Sequence, residues 1–273
     1  MPTRSQRQEH QESAQRRSPA GAVVYRAIYH EGADELARDS QALAWSGLAA
    51  GLSMGFSMVV EALLRSHLPA GVWRPLVSKL GYSVGFLIVI LGRQQLFTEN
   101  TLTVILPLLR IRRLGLLRNV LRLWFIVLIA NLIGAWLFAA AVAHLPVLEP
   151  PVMDAVRSIG FEAAAHSWME VLLRGIFAGW LIALMVWLLP FAESARVGVI
   201  ILVTYVVGLG AFSHVIAGSV EVFAAAHLGA ISWPQAVVGY TLPSLLGNTI
   251  GGVALVAALA HVQFIEASEG QDF

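Results

Sequence analysis

Long apolar stretches dominate the chain from residue 42 onward, and short polar segments separate them. About 20 consecutive apolar residues allow a helix to cross the roughly 30 Å of hydrocarbon in a bilayer. The stretches are continuous rather than alternating, which favours helices over the strands of a membrane barrel. We therefore predict six transmembrane segments, at residues 42–64, 76–109, 121–145, 171–191, 197–228 and 236–264.

The second and fifth segments are far longer than one straight crossing requires. Each has a polar interruption near its middle, at residues 93–100 in the second segment and at Ser213 and His214 in the fifth. Irregular backbone at mid-depth is tolerated where it lines a cavity inside the protein. We predict that helices 2 and 5 are broken there. For the second segment, the alternative is one helix followed by a cytosolic loop that begins at Arg93.

The two halves of the chain show related patterns. Asn131-Leu132-Ile133-Gly134 and Asn248-Thr249-Ile250-Gly251 begin 117 positions apart, and the same offset carries Phe97 onto His214. Three crossings per half is an odd number, so the halves would be inserted with opposite orientations. An inverted repeat (3+3) with one broken helix in each half is typical of transporters and channels. Helix packing alone is the alternative explanation for the shared glycines. The predicted repeats are residues 41–145 and 171–264.

Composition agrees with an all-α membrane protein and excludes several other classes. The chain is 57% hydrophobic and 13% charged, whereas about 45–50% and about 25% are usual for soluble domains. A net charge of +1 offers no field for nucleic acid. Without cysteine there is no disulfide or thiolate centre, and the histidines lack zinc-ligand spacing. We therefore expect no metal, no other cofactor and no nucleic-acid partner.

Six crossings place both ends of the chain on one side of the bilayer. With the N-terminus inside, most Lys and Arg outside the segments are cytoplasmic, as the positive-inside rule requires. Residues 1–40 are predicted to be a cytoplasmic tail with an amphipathic helix at 22–38. That helix would lie at the membrane surface or under the bundle, unless its charged face is simply solvated. Residues 41–265 would form the six-span domain, and residues 266–273 a cytoplasmic tail.

Several of these motifs together resemble the formate/nitrite transporter family, in a divergent branch. They are Leu96-Phe97-Thr98 at the first break, Phe212-Ser213-His214 at the second and Gly247-Asn248-Thr249-Ile250-Gly251-Gly252 in the sixth segment. The resemblance covers residues 25–265 in order and spacing. It implies an aquaporin-like fold, a homopentamer and one pore per protomer for small monovalent anions such as formate or nitrite. The expected location is the inner membrane of a bacterium.

The resemblance also assigns pore residues. Two apolar constrictions would enclose a vestibule that contains His214, with the Thr98 hydroxyl facing the imidazole. The family commonly has Glu-His-Ser at the second break, where this chain has Ser213-His214-Val215. A family Lys falls near Ala163, so anion attraction should be weak. A family Asn falls near Gly179. The implied constriction residues are Tyr82, Phe86, Leu96, Phe97, Ile182 and Val207.

The chemistry of these residue types supports a pore role. A histidine, with a reference pKa of ~6.5, can exchange a proton with a weak acid, and the neutral acid crosses an apolar constriction more cheaply than its anion. Packing is the alternative role for His214, and helix capping is the alternative for Thr98. Asn131 and Asn248 are expected to satisfy backbone groups freed at the breaks.

The favoured function is a channel or transporter for anions of weak acids, and an enzyme is not expected. Glu61 and Glu221 lie near segment ends and are expected at the interface, with a proton relay as the alternative. An aquaporin-like pore for neutral solutes is a second possibility, although the chain has no Asn-Pro-Ala repeat. A non-transporting assembly or regulatory membrane protein is a third.

Overall fold

A computed structural model describes residues 21–257, 260, 262 and 263 of the protein. The predicted tails at residues 1–20 and 266–273 lie outside the described residues. Within the described part all regular secondary structure is helical. The α-helices are α1 Gly21–Ala37, α2 Ser40–His67, α3 Arg74–Ser78, α4 Ser83–Leu91, α5 Asn100–Thr103, α6 Ile105–Ile111, α7 Leu114–His144, α8 Pro150–Ala164, α9 Trp168–Leu188, α10 Arg196–Leu209, α11 Val215–His227 and α12 Leu242–Ile250. Tight 3₁₀ turns occupy Lys79–Tyr82, Leu189–Phe191 and Glu193–Ala195, and π-helical segments occupy Gln235–Thr241 and Gly251–Ala257.

Four helical stretches in the described part are long and apolar enough to cross a bilayer. They are Ser40–His67, Arg74–Leu91, Leu114–His144 and Trp168–Phe191. Shorter apolar helices occupy Asn100–Ile111 and Val215–His227. The four long stretches overlap the first four predicted segments, whereas the fifth and sixth predicted segments fall on shorter helices. The count of six crossings therefore stays a prediction.

The two polar interruptions have the same backbone geometry. The amide of Gly92 donates to the carbonyl of Ile88 at 2.9 Å, and the amide of Gly210 donates to that of Val206 at 2.9 Å. In each case the next residue leaves the helix in the left-handed region, with φ of 52° at Arg93 and 50° at Ala211. These positions are 118 apart, one more than the sequence motifs suggested.

The first interruption is buried over Gln95–Thr98, whereas Gly92 and Arg93 at its start are exposed. Helix ends at Leu91 and resumes at Asn100, and Leu96, Phe97 and Thr98 between them are packed inside the protein. A cytosolic loop would leave these side chains in water, so that alternative is not what the structure shows.

Asn131 of α7 and Asn248 of α12 hold the two interruptions in matching ways. Asn131 accepts from the amide of Phe97 at 2.9 Å and donates to the carbonyls of Gly47 and Gln95 at 2.7 and 2.9 Å. Asn248 makes three matching bonds. It accepts from the amide of Val215 at 2.8 Å and donates to the carbonyls of Gly175 and Ser213 at 2.9 and 2.8 Å. Each amide thus ties a non-helical segment to a neighbouring helix and satisfies buried backbone groups.

Two glycines let the helices approach closely enough for these bonds. A Cβ at Gly51 would collide with the carbonyl of Asn131, and a Cβ at Gly179 would collide with the carbonyl of Asn248. The resemblance placed a family Asn near Gly179. In this chain no side chain fits there, because α9 and α12 are in backbone contact.

We expect Asn131→Ala and Asn248→Ala each to lower the thermal unfolding midpoint of the detergent-purified protein strongly. Each change leaves a buried amide and two buried carbonyls without that partner, at about 1–3 kcal/mol per unsatisfied group. Asn119→Ala is the matched control, because Asn119 is an exposed asparagine on the same helix as Asn131. Equal midpoints for Asn131→Ala and Asn119→Ala would show that the buried amide is not needed to hold the break.

Candidate functional site

The centre of the molecule is a hydrogen bond between the two interruptions. The Thr98 hydroxyl oxygen lies 2.9 Å from Nε2 of His214, and both side chains are completely buried. Thr98 lies in the non-helical stretch, two residues before Asn100, and His214 is the N-cap of α11. Residues that are 116 positions apart in sequence therefore meet because each helix is interrupted beside the other.

The hydrogen bonds of His214 indicate which ring nitrogen carries the proton. Nδ1 accepts from the amide of Ala217 at 3.2 Å, as an N-cap acceptor does. An accepting Nδ1 has no hydrogen, so in the neutral ring the hydrogen is on Nε2 and points to Thr98. The imidazole therefore offers one N–H group at the contact with the Thr98 hydroxyl.

Aromatic rings pack around His214. The ring of Phe86 meets the imidazole edge-to-face with centroids 4.9 Å apart, and Tyr82 lies 5.4 Å from Phe86. Phe97 packs against Trp124, with centroids 5.6 Å apart. The predicted constriction residues share one buried apolar cluster, which contains Tyr82, Phe86, Leu96, Phe97, Ile182 and Val207.

A cavity of 460 Å³ adjoins one side of this core, and we call it the Lys79 cavity. Tyr82 and Val207 line it, as does Ser213, the neighbour of His214. Phe86, Leu96, Phe97 and Ile182 are not among its lining residues. The other lining residues are Lys79, Ile159, Glu162, Ala163, Ala165, His166, Arg174, Gly208, Leu209, Ala211, Phe212, Glu221 and Tyr240.

A second cavity of 710 Å³ adjoins the first interruption, and we call it the Glu99 cavity. Gln95 and Glu99, which flank Leu96-Phe97-Thr98, line it. Helix α1 forms another wall, and its apolar side packs against the protein through Tyr25 and Ile28. The Thr98–His214 hydrogen bond therefore lies between the two cavities in sequence terms: Glu99, next to Thr98, lines the Glu99 cavity, and Ser213, next to His214, lines the Lys79 cavity.

Glu61 and Glu221 are not interfacial, contrary to the sequence-based expectation. Glu61 is fully buried and pairs with Lys79, whose ammonium lies 2.5 Å from a carboxylate oxygen. Glu221 is only 7% exposed and lines the Lys79 cavity. Both carboxylates lie next to charges from other helices, which proximity to a segment end does not reveal. Sequence reasoning also missed Lys79, which reaches the same cavity as Ala163 from a different part of the chain.

Two other histidines lie close together at the ends of α7 and α11. Nε2 of His144 is 3.2 Å from Nδ1 of His227, and the His227 ring stands edge-on to Trp233. Among the described residues no three His, Cys, Asp or Glu side chains group as metal ligands would.

The sequence profile named Formate/nitrite transporter matches residues 22–262. The inner membrane protein YfdC of Escherichia coli (strain K12) is 37% identical over 248 residues, which cover 90% of this chain and 80% of that protein.

Solved structures share the fold. One described as an FNT family ion channel superposes with a TM-score of 0.75 at 19% identity, covering 88% of this chain and 98% of that one. A second, described as a pentameric formate channel with formate bound, superposes with a TM-score of 0.66 at 21% identity, covering 83% and 98%. At this level of identity the likeness establishes the fold.

Introduced cysteines can test the contact at the centre. The chain contains no cysteine, so Thr98→Cys with His214→Cys creates a single pair of thiols. We expect a short bifunctional reagent to join them within one protomer, as detected by mass spectrometry of the linked peptides. Thr98→Cys with Ser219→Cys is the control, because Ser219 lies further along α11 and bonds to Thr241 instead. Equal linking of both pairs, or none of the first pair in folded protein, would contradict the contact.

Proposed function

The chain belongs to the formate/nitrite transporter family, and on that premise we propose that it passes small monovalent anions of weak acids across a membrane. The observation that carries the proposal is the buried Thr98–His214 contact, with a cavity beside each interruption. The family is one of transporters, which points away from an enzyme. Apolar helices of membrane-spanning length fit an integral membrane protein.

We further propose the topology that the sequence predicts. Six crossings, with helices 2 and 5 broken, would form an inverted repeat of residues 41–145 and 171–264. The matching hydrogen bonds of Asn131 and Asn248 support this arrangement, because they relate the two halves bond for bond. Both termini would be cytoplasmic. The location would be a bacterial inner membrane, because the similar E. coli protein is described as an inner membrane protein. A homopentamer is proposed because one structural relative is described as pentameric.

Thr98 and His214 would contact the permeating molecule. A small anion beside the pair can accept from Nε2–H of His214 and from the Thr98 hydroxyl, which replaces part of its lost hydration. Apolar surroundings, to which Phe86, Leu96 and Phe97 contribute, exclude water and disfavour a bare charge. Beside Thr98 and His214, an anion is stabilised by hydrogen bonds. At the apolar constrictions, where these bonds are absent, the neutral acid is favoured over the anion.

Proton transfer through His214 is the finer part of the proposal. The neutral ring has its hydrogen on Nε2, so it can give up that proton only after Nδ1 has gained another. A proton on Nδ1 breaks the bond from the Ala217 amide, at a cost of about 1 kcal/mol. The linkage therefore requires a small movement at the start of α11 each time a proton passes.

The proposed topology has a direct test. Reporter fusions at both termini and near Arg113 should report from the cytoplasm, whereas reporters near Trp73, Asp154 and Trp233 should report from outside. A C-terminal reporter found outside would remove the six-span arrangement and the inverted repeat together.

Uptake of labelled formate and nitrite into proteoliposomes, with urea as a neutral solute and protein-free liposomes as the baseline, tests the function. We expect His214→Asn to lower formate uptake about tenfold, which is the value of roughly one hydrogen bond to a charged group. The shorter amide can still cap α11 but cannot reach Thr98 or titrate. His214→Phe should stop most uptake because the ring fills the space beside Thr98.

His67→Asn is the matched control, since His67 is exposed and lines neither the Lys79 cavity nor the Glu99 cavity. We expect wild-type uptake to rise as the pH falls. His214→Gln can place an N–H near the Nε2 position without titrating, so it should restore uptake at neutral pH but not this rise. Wild-type uptake and pH profile in His214→Asn would show that His214 serves packing only. Urea uptake without formate or nitrite uptake would favour a neutral-solute pore.

A further inference from the structure

The charged groups of the Lys79 cavity come from five different parts of the chain. Lys79, Glu162, Arg174 and Glu221 line it. Behind the wall, Glu61 binds Lys79 and Arg65 binds Glu162. Among the described residues the cavity and its immediate wall therefore contain three cationic and three carboxylate side chains.

Four of these side chains form two ion pairs, in which the charges cancel. Glu61 is fully buried, so its carboxylate depends on the Lys79 ammonium 2.5 Å away. Arg65 donates to both oxygens of Glu162, at 2.5 and 2.9 Å. The Arg65 guanidinium lowers the pKa of Glu162, so this carboxylate stays ionised at neutral pH. Neither pair has net charge.

Arg174 and Glu221 remain, and they differ in depth. Arg174 is half-buried and donates to the carbonyl of Ala211 at 3.3 Å, whereas Glu221 is 7% exposed. Glu221 lies seven residues after His214 on α11, which is about 10 Å along one helix face. A charge in a less polar, less hydrated place acts more strongly on its surroundings than one near solvent. Glu221 is therefore the uncompensated carboxylate whose charge acts most strongly on the cavity.

We propose that Glu221 determines which sign of charge the Lys79 cavity admits, an inference that rests on the proposed anion permeation. With Glu221 ionised, the charges balance and an anion gains nothing by entering. With Glu221 neutral, one positive charge is uncompensated and draws an anion in. Entry of an anion therefore favours the protonated Glu221 carboxyl, in which a carboxylate oxygen has gained a proton from the solution and lost its charge.

The other groups that face Glu221 have defined states. The 3₁₀ turn contributes Lys79 and Tyr82, α2 contributes Glu61, α8 contributes Glu162, and the π-helical segment contributes Tyr240. From α7, the packed side chains include Ala135, Ala139 and Val142, which do not titrate. His166 and Arg174 complete the cavity wall. Burial, followed by Arg174, lowers the pKa of His166, so His166 is neutral at pH 7 and gains charge only in acid.

The charge of the cavity can be measured without transport. Ala163→Cys places a thiol on the cavity wall of a protein that has no other cysteine. The rate of its reaction with an anionic methanethiosulfonate, divided by the rate with a cationic one of similar size, reports the local potential. Measured at a pH of about 9, adding Glu221→Gln should raise this ratio about tenfold, because one negative charge is removed close to the thiol. The wild-type ratio should rise toward the same value as the pH is lowered.

Glu149→Gln is the matched control, because it removes one carboxylate from the start of α8 without touching this cavity. It should leave the ratio unchanged. His166→Gln separates the acid-induced charge of His166 from that of Glu221. If Glu221→Gln changes the ratio no more than Glu149→Gln does, Glu221 does not set the charge of the cavity and the inference is wrong.

Uptake then links this charge to permeation. Glu221→Gln should raise formate uptake severalfold at a pH of about 9, where the wild-type carboxylate is charged, and Ala163→Lys should do the same by adding a positive charge to the same wall. If neither the wild-type protein nor the variants take up anions, but the ratios of the reaction rates are as expected, the proposed function is overturned and the charge assignment stands. Anion uptake that Glu221→Gln and Ala163→Lys do not raise would overturn the selective role of Glu221.

Discussion

Two buried side-chain amides hold the interrupted backbone on which the rest of the structure depends. Asn131 and Asn248 each bind one amide and one carbonyl of a non-helical segment and a carbonyl of a neighbouring helix. Without these two side chains, backbone amides and carbonyls at the breaks would be buried without hydrogen-bond partners. Burying unpaired polar groups in an apolar interior has a large free-energy cost. Thr98 and His214 meet only because both breaks are stabilised in this way.

The sequence was most informative where a pattern reflects a local requirement. Apolar length and the two polar interruptions predicted an all-helical chain with irregular backbone inside it, and the motif resemblance to the family is confirmed. The Asn131 and Asn248 motifs predicted the correct chemical task, since both side chains do bind backbone at the breaks. Their spacing nevertheless misaligned the breaks by one position, because the motifs lie on packing helices rather than in the breaks.

The surroundings of the candidate site were harder to predict because they are assembled from distant segments. The motif resemblance alone indicated that this chain has lost a cation near Ala163. The fold brings Lys79 and Glu61 to the wall of the same cavity from another pair of helices. Burial of Glu61 and Glu221 follows from how α2, α8 and α11 pack, and a single sequence contains no direct signal of that packing.

The direction in which helix resumes after each interruption has an electrostatic consequence. Asn100–Ile111 follows Thr98, and Val215–His227 follows His214, so both short helices start at the central contact. The aligned peptide dipoles of a helix leave about half a positive elementary charge at its N-terminus. Two such termini meet at one point, where partial positive potential is supplied by the main chain itself. Substitutions of charged side chains elsewhere in the protein would therefore alter the approach of an anion while this backbone contribution at the centre stays in place.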